Sequence, residues 1–359
     1  MDFMPRLNQT MTIKASVLKK FCLTALKKRG VRQDVARHVT DSLMQASLRG
    51  VDSHGLELLP HYLWVVNSGR INPNPKYRFE KTAAGTGRLD ADHTFGHAAG
   101  AEAMKHAIRL AKKAGVGAVS VYHSSHFGAA AYFSLMAANQ NMIGLSFTHS
   151  DSLMLSYNGM RSFFGTNPIC FAAPVAGEEP FCLDMATSLT NWNKILRSRL
   201  AGRIIPPDWG CDASGRSTTD AQRVKALFPI GGYKGFGLAM MVEIFSGVLS
   251  GMPIGRDICS MYKDSLKRKR LLGHFFMAID IRRFVSPPVF KKRMKFLMAN
   301  VRREPAKDRR HPVMVPGDPE KKTAKLRLKN GIPVSKNAFD QFKLIAREIG
   351  FPLPTKGKK

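Results

Sequence analysis

The stretch from residue 97 to residue 149 places the strongest constraint on the fold, because helical and strand patterns alternate within it. Residues 97–114 are rich in alanine and are followed by Gly115, which predicts a helix and its end. AVSVYH and MIGLSFTH have the apolar character of buried strands, and AAYFSLMAANQ between them has the pattern of a helix. This alternation predicts a layered α/β core.

Further helical patterns precede this core. Residues 14–29 and 33–48 each place apolar side chains on one face, and a third helical pattern covers residues 56–69. Residues 73–92 are β-like and carry glycines. The sequence therefore predicts a helical N-terminal part that leads through strands into the core.

Two glycine-bearing segments are candidates for a nucleotide site. Gly115 and Gly117 follow a helix and precede a strand, which reverses the order found in a dinucleotide-binding turn. The loop GGYKGFG at 231–237 opens a helix, and its bare backbone amides and Lys234 suit an anion. The loop lacks the Walker spacing and is also compatible with a plain helix-entry turn. The residues alone leave both interpretations open.

The chain is strongly basic, with a formal net charge of +30. Much of this charge falls between residues 263 and 310, where residues 288–303 have a helical pattern. Such a field attracts nucleic acid, anionic membranes and anionic substrates. A nucleic-acid reader usually interleaves aromatic residues or glycine-rich loops with its charge, whereas these basic residues fall on one helix and its flanks. A solvated basic face is favoured, and we expect no dedicated nucleic-acid partner.

Other residue patterns bear on compartment and metal binding. The five cysteines are scattered without a C-x-x-C pair, which is typical of reduced cytosolic thiols. His123 and His126 have the spacing H-x-x-H but no acid or cysteine cluster beside them, so we expect no metal site. Residues 1–20 contain no apolar leader core, and residues 238–251 are too short to span a bilayer. We expect a cytoplasmic protein without a membrane partner.

The stretch VYHSSHFGAAAYF at 121–133 sets two histidines at a strand-to-helix junction, ahead of a glycine and three alanines. One interpretation is a loop that solubilises the turn. The other is a proton-transfer group whose small neighbours let a flat ligand lie against the backbone. A histidine suits that chemistry because its ordinary pKa is about 6.5. These residues alone do not decide between the two interpretations.

Seven motifs occur in sequence order over almost the whole chain. They are DSHG (52–55), HFGAA (126–130), FGTNP (164–168), LDMATS (183–188), GGYKGFGLAMMVEIFSGVLSG (231–251), GHFFMAIDIRRF (273–284) and VPGDPE (315–320). In these motifs the sequence resembles the malate/L-lactate dehydrogenase family, which includes ureidoglycolate dehydrogenases and is unrelated to the Rossmann-type lactate and malate dehydrogenases.

The resemblance implies an NAD(P)-dependent oxidoreductase that transfers a hydride between NAD or NADP and a 2-hydroxy or 2-oxo acid such as malate, lactate or ureidoglycolate. It also implies a homodimer, and an α/β cofactor domain that is not a Rossmann fold, has a largely antiparallel sheet and is flanked by a helical domain built from both termini. We expect a helical part over 1–72, the cofactor domain over 73–255, and a C-terminal part over 256–359 that packs back on the first helices. The alternative is a basic binding protein that keeps the fold without turnover.

The resemblance also assigns roles to individual residues. His126 is implied as the proton-transfer residue, and Ser53 and His54 stand beside the substrate. Thr166 and Asn167 are implied as pocket residues that hold substrate oxygens. The implied cofactor contacts are Gly128, Ala129, Ser150, Asp151, Asp184, Met185, Ala186, Lys234, Gly317 and Asp318.

One position departs from the family pattern. Many members have an arginine four residues after the serine of DSHG, where it suits a bidentate hold on a carboxylate, and here that position is Glu57. Either the substrate presents a cationic or donor group to Glu57, or Glu57 turns away and a basic residue from elsewhere holds the carboxylate. We favour the second, because the chain has many lysines and arginines.

Overall fold

The computed structural model of the protein describes residues 10–355. Residues 1–9 and 356–359 lie outside the described residues. The first range belongs to the segment examined for a leader and to the expected helical part, and the second belongs to the expected C-terminal part. The helices are α1 Ala15–Lys28, α2 Gln33–Leu48, α3 Leu59–Asn67, α4 Gly96–Ala114, α5 Ala131–Ala138, α6 Trp192–Leu200, α7 Tyr233–Glu243, α8 Pro287–Arg303, α9 Asp318–Asn330 and α10 Lys336–Ile349. The strands are β1 Met11–Ile13, β2 Arg78–Lys81, β3 Thr86–Asp90, β4 Val116–Ser124, β5 Met142–Thr148, β6 Met154–Leu155, β7 Ser162–Phe164, β8 Ile169–Ala173, β9 Phe181–Met185, β10 Gly210–Cys211, β11 Ala226–Leu227, β12 Leu272–Asp280 and β13 Ile332–Val334.

The main sheet has seven strands in the order β2-β3-β4-β12-β5-β8-β9. Only the pair β3–β4 is parallel, and the other five pairs are antiparallel. The expected α/β fold with a largely antiparallel sheet is therefore confirmed. A smaller four-stranded sheet, β10-β11-β6-β7, lies beside it.

The central strand β12 is buried on both faces, which explains its continuous apolar sequence. Phe276 and Ala278 lie in a core with the alanine-rich helix α4 and helix α5. Phe275, on the opposite face, packs with Val242 of α7. Because successive side chains of a strand point to opposite faces, one apolar run supplies both cores.

Gly117 of β4 shows why a glycine stands in the segment that could be mistaken for a nucleotide turn. A Cβ at Gly117 would lie 1.9 Å from the carbonyl oxygen of Ala107 in α4. The alanines of α4 and the glycine of β4 thus allow helix and sheet to pack closely. The glycine serves packing and does not cradle a phosphate.

The helical part is built from both ends of the described chain. Strand β1 pairs with β13 in antiparallel register, and Phe21 of α1 packs against Phe342 of α10 with ring centroids 5.5 Å apart. The expected boundary at residue 255 needs correction, because β12 comes from 256–359 and forms the centre of the sheet. None of the helices between residues 10 and 355 combines the length and apolar character that a bilayer crossing requires.

Candidate active site

His126 lies in the loop that joins the end of β4 to the start of α5. Its Nδ1 atom is 2.7 Å from the hydroxyl oxygen of Tyr62, a buried residue of α3. The ring is half-buried at the edge of a cleft, so Nε2 is the nitrogen left for a ligand. The helical part and the sheet together therefore fix the orientation of one imidazole.

The DSHG segment forms a short turn between α2 and α3 and places a second imidazole against the first. The rings of His54 and His126 are stacked with centroids 5.6 Å apart. Ser53 Oγ lies 3.0 Å from His54 Nδ1, and the Asp52 carboxylate accepts a hydrogen bond from Arg327 Nη2 of α9 at 3.0 Å. The turn is thus anchored by a helix from the C-terminal part.

The electrostatics favour neutral rings at this point. Burial lowers the pKa of His126 well below its usual 6.5, and the neighbouring His54, His97 and Arg270 lower it further. Burial also lowers the pKa of His54 to about 4. A neutral His126 can accept a proton at neutral pH, and the protonated ring is a strong acid once formed.

Two clefts meet beside these histidines. The first has a volume of about 390 Å³ and contains His126, and the second has a volume of about 580 Å³ and extends toward α9. Both are bordered by Ser53, His54, Gly128, Thr166, Pro168 and Asn191. The arrangement provides a reaction compartment at the histidines and a longer groove that leads away from it.

The clefts have features that suit a nicotinamide cofactor. Ser150 Oγ is buried without a hydrogen-bond partner among the described residues, at the wall of the first cleft. Small residues from Gly128 to Ala131 line the second cleft, where Asp184 Oδ2 accepts a hydrogen bond of 2.8 Å from the Ala131 amide. Ala129, Ala186 and Gly317 also line that cleft. An unpaired hydroxyl, small residues and a carboxylate fit a flat, hydroxyl-bearing cofactor.

Two residues expected at the site, Asn167 and Met185, do not border either cleft. Asn167 is fully buried, and its side chain accepts a hydrogen bond from the Ser150 amide at 3.2 Å and donates to Glu243 at 2.8 Å. Met185 ends β9 opposite Ile169 and is not among the residues that border the two clefts. The Asn167 amide nitrogen also donates to the Ala239 carbonyl oxygen at 3.0 Å, so these contacts do not support the expected hold on a substrate oxygen, which stays a prediction.

Lys234 and Asp318 are also absent from the borders of the two clefts. Lys234 is exposed at the start of α7, and the neighbouring Gly231 and Gly232 border a separate depression. Asp318 binds the guanidinium of Arg302, at 2.7 and 2.9 Å. Within one chain, the geometry does not support either residue as a cofactor contact.

Comparison with known proteins decides the family. The model of the family described as malate/L-lactate dehydrogenase matches residues 13–343. The chain belongs to the malate/L-lactate dehydrogenase family. The resemblance in the seven motifs is thereby confirmed, and with it the expectation of a dehydrogenase of 2-hydroxy acids.

Individual members of the malate/L-lactate dehydrogenase family are similar over most of their length. Malate dehydrogenase of Pyrococcus abyssi is 37% identical over 347 residues, covering 93% of this chain and 93% of that protein. Ureidoglycolate dehydrogenase (NAD(+)) of Escherichia coli K12 is 36% identical over 288 residues, covering 80% of this chain and 82% of that protein. The crystal structure of malate dehydrogenase from Entamoeba histolytica has a TM-score of 0.92 at 30% identity, covering 96% of this chain and all of that one.

Glu57, the departure from the pattern of the malate/L-lactate dehydrogenase family, does not border either cleft. Its carboxylate accepts a hydrogen bond of 3.0 Å from Arg197 Nη2 of α6. The next residue, Leu58, borders the first cleft instead. Within this chain the Glu57 carboxylate faces Arg197 and not the space of either cleft.

Residues that the sequence did not single out complete the site of this family member. Tyr62 orients His126, and Arg270 and Tyr262 border the first cleft. Tyr62 lies eight positions after His54 on a predicted helix, and only that helical pattern could have indicated its direction. Arg270 carried no distinguishing signal, because it stands in a run of lysines and arginines.

Proposed function

We propose that the protein transfers a hydride between a nicotinamide cofactor, NAD or NADP, and a 2-hydroxy or 2-oxo acid, with His126 as the proton-transfer residue. The observation that carries this proposal is the pairing of His126 with the buried Tyr62 at the meeting point of the two clefts. Membership of the malate/L-lactate dehydrogenase family supports the reaction class.

His126 and Tyr62 suit both directions of the reaction. When bound, the cofactor accepts or supplies the hydride. In oxidation, His126 Nε2 accepts the proton of the substrate hydroxyl while Nδ1–H donates to the Tyr62 oxygen. In reduction, Nε2–H donates its proton to the substrate oxygen. The Tyr62 oxygen accepts from Nδ1–H in both protonation states of the ring, and the pKa of Tyr62, raised well above 10 by burial, keeps its hydroxyl protonated.

The cofactor is proposed to lie across the junction of the clefts, along the second. Gly128 and Ala129 supply a flat backbone wall, Ser150 supplies a free hydroxyl, and Asp184 supplies an acceptor for a ribose hydroxyl. Ser53, His54 and Thr166 border the substrate end, where Thr166 remains a candidate for a substrate oxygen.

A homodimer in the cytoplasm belongs to the same proposal. Helix α7 and the following turn carry a row of exposed apolar side chains, including Leu238, Ile244, Val248 and Leu249, the last two 58% and 57% exposed. An exposed apolar surface of this kind is typical of a subunit interface. The five free and buried cysteines are typical of a reducing compartment.

The test combines cofactor binding with turnover. NADH or NADPH is expected to raise the melting temperature, and the absorbance of the reduced nicotinamide is expected to fall when a panel of 2-oxo acids is added. His126→Ala is expected to lower kcat by about two to four orders of magnitude with cofactor protection retained. The matched control is His311→Ala, a histidine that is 81% exposed and pairs with Asp308. Absence of cofactor protection in the unmodified protein would contradict the proposal and favour a binding protein without turnover.

A further inference from the structure

Arg270 is the best-placed cation in the substrate cleft. It lies just before β12, is only 2% exposed, and borders the same cleft as His126. Its positive charge helps to lower the pKa of both His126 and His61. A buried arginine in this position requires an explanation, because burying a charge without partners is costly.

The guanidinium is held rigidly but incompletely. Arg270 Nη2 donates to the Asp151 carboxylate, and Nε donates to the Cys259 carbonyl oxygen at 3.0 Å. Asp151 is fixed in turn by the Ser260 hydroxyl, which donates to Oδ2 at 3.1 Å. Arg270 Nη1 is buried and has no hydrogen-bond partner among the described residues. The hydrogen-bonding capacity of Nη1 is therefore unfilled on a guanidinium that is otherwise held in place.

The other charges at this cleft leave the anion site open. The acids at its border are Asp151 and Asp264, and Asp264 Oδ2 accepts a hydrogen bond of 2.7 Å from the Ser260 amide. Both carboxylates are thus engaged by the protein. The remaining cations are Lys263 and Arg256, and Arg256 Nε donates to the Ser162 carbonyl oxygen at 2.9 Å. The balance of charge favours an anion, and Arg270 is the cation that is buried and oriented to receive it.

We propose that Arg270 binds the C1 carboxylate of the substrate through Nη1, with Asp151 as its positioning residue. This inference rests on the proposed function and adds to it the group that recognises the acid. A guanidinium N–H to a carboxylate oxygen is a charge-assisted hydrogen bond, and lysine or glutamine cannot reproduce its geometry. The enzyme therefore selects substrates with a free carboxylate next to the reacting carbon and rejects the corresponding esters.

The experiment compares acid and ester substrates. The 2-oxo acid that the unmodified enzyme reduces best and its C1 methyl ester are assayed with the unmodified enzyme, Arg270→Gln and Arg270→Lys. Arg270→Gln is expected to raise KM for the acid by about 10- to 100-fold, with a much smaller change for the ester. Arg270→Lys is expected to restore part of the preference for the acid. A purely structural role would change acid and ester equally, and that result would overturn the inference.

A matched control and a binding measurement complete the test. Arg282 stands at the opposite end of β12 and binds Asp280 through Nε and Nη2, so Arg282→Gln removes a similar ion pair away from the cleft and is expected to leave KM unchanged. Protection by NADH against thermal unfolding shows whether each variant is folded. If the unmodified protein binds NADH but reduces no 2-oxo acid, the proposed reaction fails on its own. Calorimetry then measures the affinity of oxamate for the NADH-loaded protein and decides the role of Arg270. Oxamate is expected to bind the unmodified protein more tightly than Arg270→Lys. Equal affinities in the two proteins, or no binding of oxamate to the unmodified protein, would overturn the proposed role of Arg270.

Discussion

Acid sensitivity of folding should depend on His97, which lies behind the catalytic pair. The His97 side chain is fully buried, stands edge-on to Tyr62 with centroids 5.0 Å apart, and has no hydrogen-bond partner for either ring nitrogen among the described residues. Burial lowers the pKa of His97 from 6.5 to about 3. Below pH 6.5 the His97 imidazole therefore binds a proton in the unfolded chain but stays neutral in the folded protein.

The sign and size of the effect follow from this difference. The stability associated with a neutral His97 is fully present above pH 6.5. It is lost as the pH falls toward the pKa of His97 in the folded protein. Each pH unit in that window removes about 1.4 kcal/mol, so the free energy of unfolding should fall by about 2 kcal/mol between pH 6.5 and about pH 5 from this residue alone. His97→Leu should remove that share of the pH dependence, while its packing cost is the same at both pH values.

Urea unfolding of the unmodified protein and of His97→Leu at neutral pH and near pH 5 measures the difference directly. The variant should lose about 2 kcal/mol less than the unmodified protein over this range. The control is His311→Leu, since His311 is 81% exposed and should leave the pH dependence unchanged. Equal acid sensitivity of His97→Leu and the unmodified protein would show that His97 is not held neutral by burial, and the reasoning would fail.

Three further outcomes are expected. Because the pKa of His126 lies well below 6.5, kcat/KM for alcohol oxidation should stay near its maximum as the pH falls through 6.5 and decline only at lower pH, and a midpoint at 6.5 or above would contradict this. Gly128→Ala should lower both the melting temperature and kcat, because Gly128 has a φ of 79° and a Cβ there would lie 2.6 Å from His97 Nε2. An unchanged melting temperature and an unchanged kcat would argue against that geometry. Glu57→Gln should leave KM for 2-oxo acids within about twofold, since the Glu57 carboxylate pairs with Arg197 at the surface, where such pairs contribute little; a large change in KM would place Glu57 in the substrate space.

The sequence predicted the local elements well because they follow from periodicity. The helices expected over 14–29 and 97–114 are observed as α1 and α4, and the two expected strands are β4 and β5, which flank α5. The order of strands was not predictable in this way. Nothing in the local pattern of residues 272–280 shows that this segment inserts between β4 and β5, because strand order depends on pairing between distant parts of the chain.

The site was predicted at the level of motifs and less well at the level of single residues. Motif membership does not separate a residue that touches a ligand from one that fixes a loop, and the Asn167 side chain bonds to the Ser150 backbone and to Glu243. Lys234 stands in a suitable anion loop, yet that loop borders another depression. Arg270 was hidden in the basic segment, where only burial and hydrogen bonding distinguish it from its neighbours.

The late position of β12 in the chain has a consequence for how the protein is made. His274 Nε2 and Ser124 Oγ lie 2.8 Å apart although 150 residues separate them in sequence. During synthesis β4 and β5 emerge long before the strand that belongs between them, so each has an unpaired edge until β12 has been made. Contacts this distant slow folding, and exposed strand edges recruit other chains. Nascent chains released before residue 272 should therefore aggregate more readily than chains that include β12.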